Sequence, residues 1–306
     1  MSVTSEPGRP PASARQATEA FLAHRGLLFT VAYEMLGTAA DSEDVLQEAW
    51  LRWHTVDLGQ VNDVRAYLVR TVTRLALDHL RTSKRRGETY VGPWLPEPLL
   101  TAPDAAHDLE LAESLSMALM FVLDTLTPTE RAVYVLREAF DLGYDEIADA
   151  VGRPAATVRQ IAHRARRHIA VRRPHRTVSA DTARTVTESV RRALETGDPQ
   201  LLLAVLAPDV VLISDGGGAK RAAVRPIAGA DKVVRFVTGG LGKKAVTPTC
   251  EPVTVNGNAA LAVYFDGEFD GILAIGVDGE LITGLYFVRN PAKLTHTQSR
   301  NPLTLR

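Results

Sequence analysis

The sequence predicts a multidomain chain: two all-α units followed by a C-terminal α+β cone. Three observations lead there. Apolar residues recur at helical spacing through the first half of the chain. Residues 144–173, YDEIADAVGRPAATVRQIAHRARRHIAVRR, read as two short helices around a Gly-Arg-Pro corner, the second strongly basic. After Arg176 the pattern changes to a helix followed by β-rich runs.

The first twenty residues are rich in Pro, Ala and Ser and lack the apolar core of a secretion signal, so residues 1–14 are expected to be a flexible tail. Residues 15–86 form the first helical unit. Phe21 to Leu36 is an apolar helical stretch that Gly37 interrupts, and Asp41 or Ser42 is the expected cap of the next helix, DSEDVLQEAWLRW. Acidic residues crowd its first turn, as the helix dipole favours. Val45, Leu46, Ala49 and Trp50 fall on its buried side, and Asp44, Gln47, Glu48 and Arg52 on its exposed side. A third helix, roughly Val64 to Thr82, carries Leu68, Val72, Leu75 and Leu80 and runs into RTSKRR. There Arg81, Lys84, Arg85 and Arg86 are candidates for phosphate contact, which supplies affinity rather than base choice; a solvated helix end would read the same. Trp50 and Trp53 lie three apart on a helix that must bury a side, which favours a core role over stacking on unpaired bases.

Residues 87–108 hold prolines at 93, 96, 98 and 103 and are expected to be an extended connector. Val91, Trp94, Leu95, Leu99 and Leu100 make it too apolar for a bare tether. A locally packed linker and a regulatory latch both fit.

Residues 109–176 form the second helical unit. Ile147, Ala148 and Val151 share one side of the first helix of the corner, Gly152 relaxes the backbone, and Pro154 favours a restart. In the next helix Val158, Ile161, Ala162 and Ala165 can pack inward, leaving Ala156, Arg159, Gln160, His163, Arg164 and Arg167 as the reading face. Between Ala150 and Ala180 stand eight arginines and no carboxylate, a segregation that the whole-chain charge of −1 conceals. Such an excess draws a protein to duplex DNA.

Residues 177–290 are expected to form the α+β cone with an interior pocket, and residues 291–306 a tail. A helix spans 180–196 and ends at Gly197; a short helix then gives way to a β-rich run, and strands are expected at 257–265, 271–277 and 280–290 with a turn at VDGE. Asp215-Gly216-Gly217-Gly218 exposes backbone amides and allows close approach, either as an interdomain switch or as a plain tight turn; it is no nucleotide P-loop. Arg221 and Arg225 beside it could meet an acidic face such as the helix of Asp44. Asp215, Asp231, Glu251, Asp266, Asp270 and His296 are acid–base candidates by residue type alone, so no catalytic residue is expected.

The order of DVLQEAW, AYLVRTVTRLALDHLRTSKRR, a connector, and LTPTERAVYVLREAFDLGYDEIADAVGRPAATVRQIAHRARRHI resembles region 2 followed by region 4 of an extracytoplasmic-function sigma factor. The resemblance implies that Asp44, Gln47, Glu48 and Trp50 dock on the clamp helices of the RNA polymerase largest subunit. It implies that Trp53 to Arg74 open and read the −10 promoter element. Arg159, Gln160, His163 and Arg164 would read the −35 element, with Thr157 near the backbone. The C-terminal stretch is similar to a SnoaL-like domain of the nuclear-transport-factor-2 superfamily. With WLPEP (Trp94, Leu95, Pro96), DGGGAK at 215–220 and NPAKL (Asn290, Pro291, Lys293, Leu294), the chain resembles the sigma-factor subgroup that carries such a domain at its C-terminus. That implies regulation in cis in place of a separate anti-sigma partner.

One cysteine, Cys250, excludes a disulfide or a cysteine zinc site within the chain. His163 and His168 lie among arginines and are poor metal ligands; no metal or cofactor is expected. No run of eighteen apolar residues occurs, so the protein is expected to be cytoplasmic, with no membrane partner. The expected partners are core RNA polymerase and promoter DNA, with a small-molecule ligand in the C-terminal domain as a further candidate. The competing reading is a conventional helix-turn-helix regulator whose C-terminal domain senses a metabolite; a sigma factor would confer promoter-dependent initiation on core polymerase alone.

Overall fold

The computed structural model describes residues 12–85, 90–101, 116–172, 178–244 and 247–298. The first unit packs three helices, α1 (Ala12–Leu36), α2 (Ala39–Trp53) and α3 (Val64–Arg85). Helix α1 starts nine residues before Phe21, within the expected tail, because its first turns are anchored: Ala17 is buried and its carbonyl accepts the Trp53 indole N–H at 2.8 Å. Residues 1–11 of that tail lie outside the described residues. Thr38, rather than Asp41 or Ser42, caps α2. Its backbone is extended and its Oγ1 accepts the Asp41 N–H, while Ser42 turns back to the Thr38 carbonyl at 2.6 Å.

The second unit comprises α4 (Met117–Leu123), α5 (Pro128–Glu138), α6 (Tyr144–Val151) and α7 (Ala155–Arg172). Thr127 and Glu130 close a capping box at the start of α5, and Gly152, left-handed at φ 67°, makes the corner between α6 and α7. Leu123, Val135, Ala165 and Ile169 form a core of this unit. The remaining apolar face of the corner is shared: Ile147, Val151, Val158 and Ala162 join the core built from Leu28, Leu46, Val72 and Ala76. Arg131 on α5 is buried and donates from Nε to the Glu34 carbonyl at 2.8 Å. Burial lowers its pKa, an effect opposed by the nearby carboxylates of Asp124 and Glu34.

The C-terminal unit runs α8 (Ala180–Thr196), α9 (Pro199–Val205), β1 (Leu206–Asp215), β2 (Ile227–Ala228), α10 (Ala230–Lys244), β3 (Thr249–Val255), β4 (Asn258–Phe265), β5 (Glu268–Asp278) and β6 (Leu281–Val288). A 3₁₀ turn, Pro291–Lys293, and α11 (Thr295–Gln298) follow. The sheet order is β2-β1-β6-β5-β4-β3, with β1 and β6 parallel and the other pairs antiparallel. It is an open six-stranded sheet, so the cone expected from the sequence is not closed: its edges are the two-residue β2 and β3, which do not pair. Both faces are instead covered. Leu261, Val263, Leu273 and Leu285 point to a core with Val190, Leu202 and Val233 from the three helices. Their alternating neighbours Ala260, Ala262, Ile272 and Tyr286 face Leu95, Met117 and Leu294, from the connector, α4 and the tail.

Candidate functional sites

Three sites emerge. On the outer side of α1 and α2, Asp44, Gln47 and Glu48 are exposed and Trp50 is half-buried against Phe21, ring centroids 5.3 Å apart and edge-on. Asp44, Gln47 and Trp50 line a groove of about 400 Å³ with Thr18, Phe21, Leu22, Arg25, Glu43 and Leu46. Glu43 pairs with Arg25 at 2.7 Å and Glu48 with Arg52 at 2.6 Å. Trp53, facing inward, is fully buried.

On α7 the side chains of Thr157, Arg159, Gln160, His163, Arg164 and Arg167 are all exposed, while Val158, Ile161, Ala162 and Ala165 are buried. The 3.6-residue period therefore leaves a continuous polar, basic face. Arg164 donates from Nε to Glu130 at 2.8 Å, and Arg159 lies over the Tyr144 ring at 5.6 Å. Burial alone would raise the Glu130 pKa; hydrogen bonds from Thr127 and Arg164 outweigh it and lower the pKa. Arg81 pairs with Asp78 at 3.3 Å. Lys84 and Arg85 lie on the last turn of α3, and Arg86 is outside the described residues.

The third site joins the units. The connector residues 90–101 run between them, and Leu95, Pro96, Glu97 and Leu99 are buried. At one end, Gly37 ends α1 at φ 80°, and a Cβ there would stand 2.3 Å from the Trp94 ring, so the indole lies directly on the backbone of the α1–α2 junction. Glu97 then docks at the start of α2: its N–H donates to the Gly37 carbonyl at 2.8 Å and its Oε2 accepts the Ala39 N–H at 2.7 Å, a carboxylate at a helix N-terminus. The Tyr33 hydroxyl donates to the Glu97 carbonyl. Asn256, fully buried at the β3–β4 turn, donates to that same hydroxyl at 3.1 Å and accepts the Leu99 N–H at 2.8 Å, while its own N–H donates to the Leu99 carbonyl at 2.8 Å. Leu100 bridges to Val255 in antiparallel fashion, so the connector adds to the edge strand β3.

At the other end lies Asp215, with no exposed surface. Its carboxylate accepts the Tyr90 hydroxyl at 2.5 Å, the Leu95 N–H at 2.9 Å, the Gly217 N–H at 3.0 Å and the Lys293 ammonium at 2.8 Å. Lys293 also donates to the Leu95 carbonyl at 2.5 Å and sits 4.3 Å from the Trp94 ring centre and 4.6 Å from that of Tyr90. Asn290 donates to the Tyr90 hydroxyl at 2.8 Å and packs on Gly217, where a Cβ would stand 2.2 Å from its amide nitrogen. Burial lowers the Lys293 pKa, and Asp215 opposes the shift. Burial raises the phenol pKa of Tyr90, helped by its hydrogen bond to Asp215. Leu294 is buried, and Pro291, Gly218 and Arg221 are exposed.

The sequence motifs WLPEP, DGGG and NPAKL thus meet at one point. The expected pairing of Arg221 or Arg225 with the Asp44 helix does not form among the described residues. The loop is tied to its own sheet instead, Lys220 and Arg289 holding Asp270 at 3.3 and 2.7 Å, with Arg289 also donating to the Arg221 carbonyl. Glu97 stood inside the WLPEP motif without being singled out, and sequence reasoning missed Tyr33, Tyr90 and Asn256. Only Asn256-Gly257 carried a signal, as a two-residue hairpin turn.

Among the described residues no cluster of three or more His, Cys, Asp or Glu side chains suits a metal ion, and no helix is long and apolar enough to cross a membrane. Residues 20–86 match the Sigma-70 region 2 family and residues 116–169 the Sigma-70, region 4 family. The chain is 38% identical over 292 residues to the ECF RNA polymerase sigma factor SigJ of Mycobacterium tuberculosis, covering 90% of this chain and 92% of that one. The chain belongs to the ECF sigma factors. It is also 32% identical over 278 residues to the probable ECF sigma factor SigI of the same species, covering 90% of this chain and 93% of the relative. The crystal structure of M. tuberculosis SigJ is similar throughout, with a TM-score of 0.73, 35% identity, and coverage of 91% of this chain and 98% of that one. As a member of the family this protein is a transcription initiation factor that binds core RNA polymerase and recognises promoter DNA, which decides against a conventional regulator.

Proposed function

We propose that this sigma factor is held closed by its own C-terminal domain, acting through the connector, and initiates transcription after that hold is released. The observation that carries the reading is the connector itself, buried between Tyr33, Gly37 and Ala39 on one side and Asn256 and Asp215 on the other. Packing of the two helical units supports it. Arg74, at the end of the segment that the family resemblance gives to the −10 element, donates to the Asp149 carbonyl at 2.7 Å, on α6 of the helix-turn-helix. Two elements spaced along a duplex that rises about 3.4 Å per base pair cannot be read by helices in mutual contact. The units must separate on the promoter.

In this reading α7 contacts the −35 element through Thr157, Arg159, Gln160, His163, Arg164 and Arg167, and the surface of Asp44, Gln47, Glu48 and Trp50 takes the polymerase clamp. Arg81, Lys84, Arg85 and Arg86 contact phosphates. The C-terminal domain is a SnoaL-like fold used as a regulator, without catalysis: its buried carboxylate Asp215 is spent on the connector and tail. No separate anti-sigma protein is needed. The test is in vitro transcription with purified core polymerase and no other sigma factor, comparing the full chain with Asn256→Gly. Closure in cis predicts higher promoter-dependent output from the variant at equal concentration. Equal output from a variant whose connector has been shown to open would refute it.

A further inference from the structure

The surroundings of the Lys293 ammonium form a cation site in their own right. Two aromatic faces stand 4.3 and 4.6 Å from the nitrogen, a fully buried carboxylate accepts at 2.8 Å, and a backbone carbonyl accepts at 2.5 Å. Ring faces attract a cation through their quadrupoles, and the two oxygens require N–H donors. Each wall also has a contact other than Lys293, Tyr90 among them through Asn290. Trp94 rests on Gly37, Tyr90 is fixed by its bond to Asp215, and Asp215 is fixed by the Leu95 and Gly217 amides. Lys293, by contrast, is carried on a single 3₁₀ turn after the last strand.

We infer that Tyr90, Trp94 and Asp215 form a binding site for a primary alkylammonium, filled in this structure by Lys293 in cis and available to an external ammonium when the tail lifts. The chemistry selects the class. A quaternary ammonium could meet the rings but has no N–H for Asp215 or the Leu95 carbonyl. An alcohol of the same length carries no charge to balance a carboxylate that has no exposed surface. An external ammonium competes with a tethered lysine whose effective concentration is on the order of millimolar or above. Displacement of Lys293 and release of the tail are therefore one event.

The test removes the resident ligand from the full-length chain. Lys293→Ala deletes the three methylenes and nitrogen that n-propylammonium restores. Thermal melts and calorimetric titration of this variant with propylammonium chloride should give saturable binding and a rise in melting midpoint of at least a few degrees. Propan-1-ol and tetramethylammonium chloride, matched in concentration and ionic strength, should give neither. Nα-acetyl-lysine methylamide tests whether a lysine side chain enters as the free amine does; binding by it points to a protein lysine as the source, and binding by propylammonium alone to a small amine. In Lys293→Ala/Asp215→Asn the propylammonium response should disappear while the starting midpoint rises above that of Lys293→Ala, because a buried uncompensated charge has been removed. If Lys293→Ala does not fold, refolding yield replaces the melt, and propylammonium should restore it where propan-1-ol does not. Equal effects of the amine and the alcohol, no saturable effect of the amine, or an undiminished effect in the double variant would overturn the inference.

Discussion

Replacing Asn256 with Gly should loosen the connector without disturbing the turn that carries it. Asn256 has φ 51°, a left-handed backbone that Gly adopts freely, so the substitution isolates the side chain. What is lost is the carboxamide oxygen that accepts the Leu99 N–H and the amide that donates to the Tyr33 hydroxyl, both buried. An orphaned buried amide costs about 1–3 kcal/mol and the second bond about 1 kcal/mol, giving roughly 2–4 kcal/mol against the closed state. Since about 1.4 kcal/mol is tenfold, the closed-to-open ratio should fall about 30- to 1,000-fold. Hydrogen exchange reads this directly: the amides of Leu99 and Thr101, which bond to Asn256 and to the Thr254 carbonyl, should lose protection by that factor. Amides inside α8 should exchange as before. Unchanged exchange at Leu99, with the variant folded, would show that Asn256 does not hold the connector and would refute the reasoning.

Raising the pH should open the closed form. Burial raises the Tyr33 phenol pKa, so above about pH 10 the open state ionises this phenol while the closed state keeps it protonated, and stability falls by about 1.4 kcal/mol per pH unit until the closed-state pKa is reached. Tyr90 acts in the same direction. Melts between pH 9 and 11 on wild type and Tyr33→Phe should differ in slope, the variant being flatter; parallel curves would exclude Tyr33 as the titrating group. Deleting the residues after Arg289 should leave Asp215 buried without its cation, costing on the order of 3–5 kcal/mol of interdomain stability and exposing the Leu95 amide to exchange; normal protection there would contradict the role given to Lys293. Arg159→Ala and Arg164→Ala should each weaken −35 binding, by about 1–3 kcal/mol for a base contact. Titrations on specific and random duplexes separate the roles: equal losses on both assign the residue to phosphates.

The helical half was legible because its signals are local. Apolar spacing placed α2, α6 and α7, and the exposed face of α7 is the one that the spacing implied. The caps were less legible: Thr38 competes with Asp41 and Ser42 for one role, and only the extended backbone at Thr38 settles it. In the C-terminal unit α8 and its Gly197 stop were readable, whereas α10 was missed because Gly239 and Gly240 weaken its helical signal, and β3 because Pro252 lies within it. The third site, at the connector, was half legible. Its motifs stand out in the sequence, but what they touch is set by contacts 64 to 223 residues apart, such as Tyr33 with Glu97 and with Asn256. No periodicity reports those.

The seat of Trp94 on Gly37 has a practical consequence. The protein has three tryptophans, of which Trp53 is fully buried within its helical unit and Trp50 faces the outer groove of α1 and α2. Trp94 alone is wedged between the first unit and the tail lysine. In a Trp50→Phe background the red shift of intrinsic emission therefore becomes a label-free gauge of the gap between the two halves of the isolated protein, fast enough to time unlatching within a single mixing experiment.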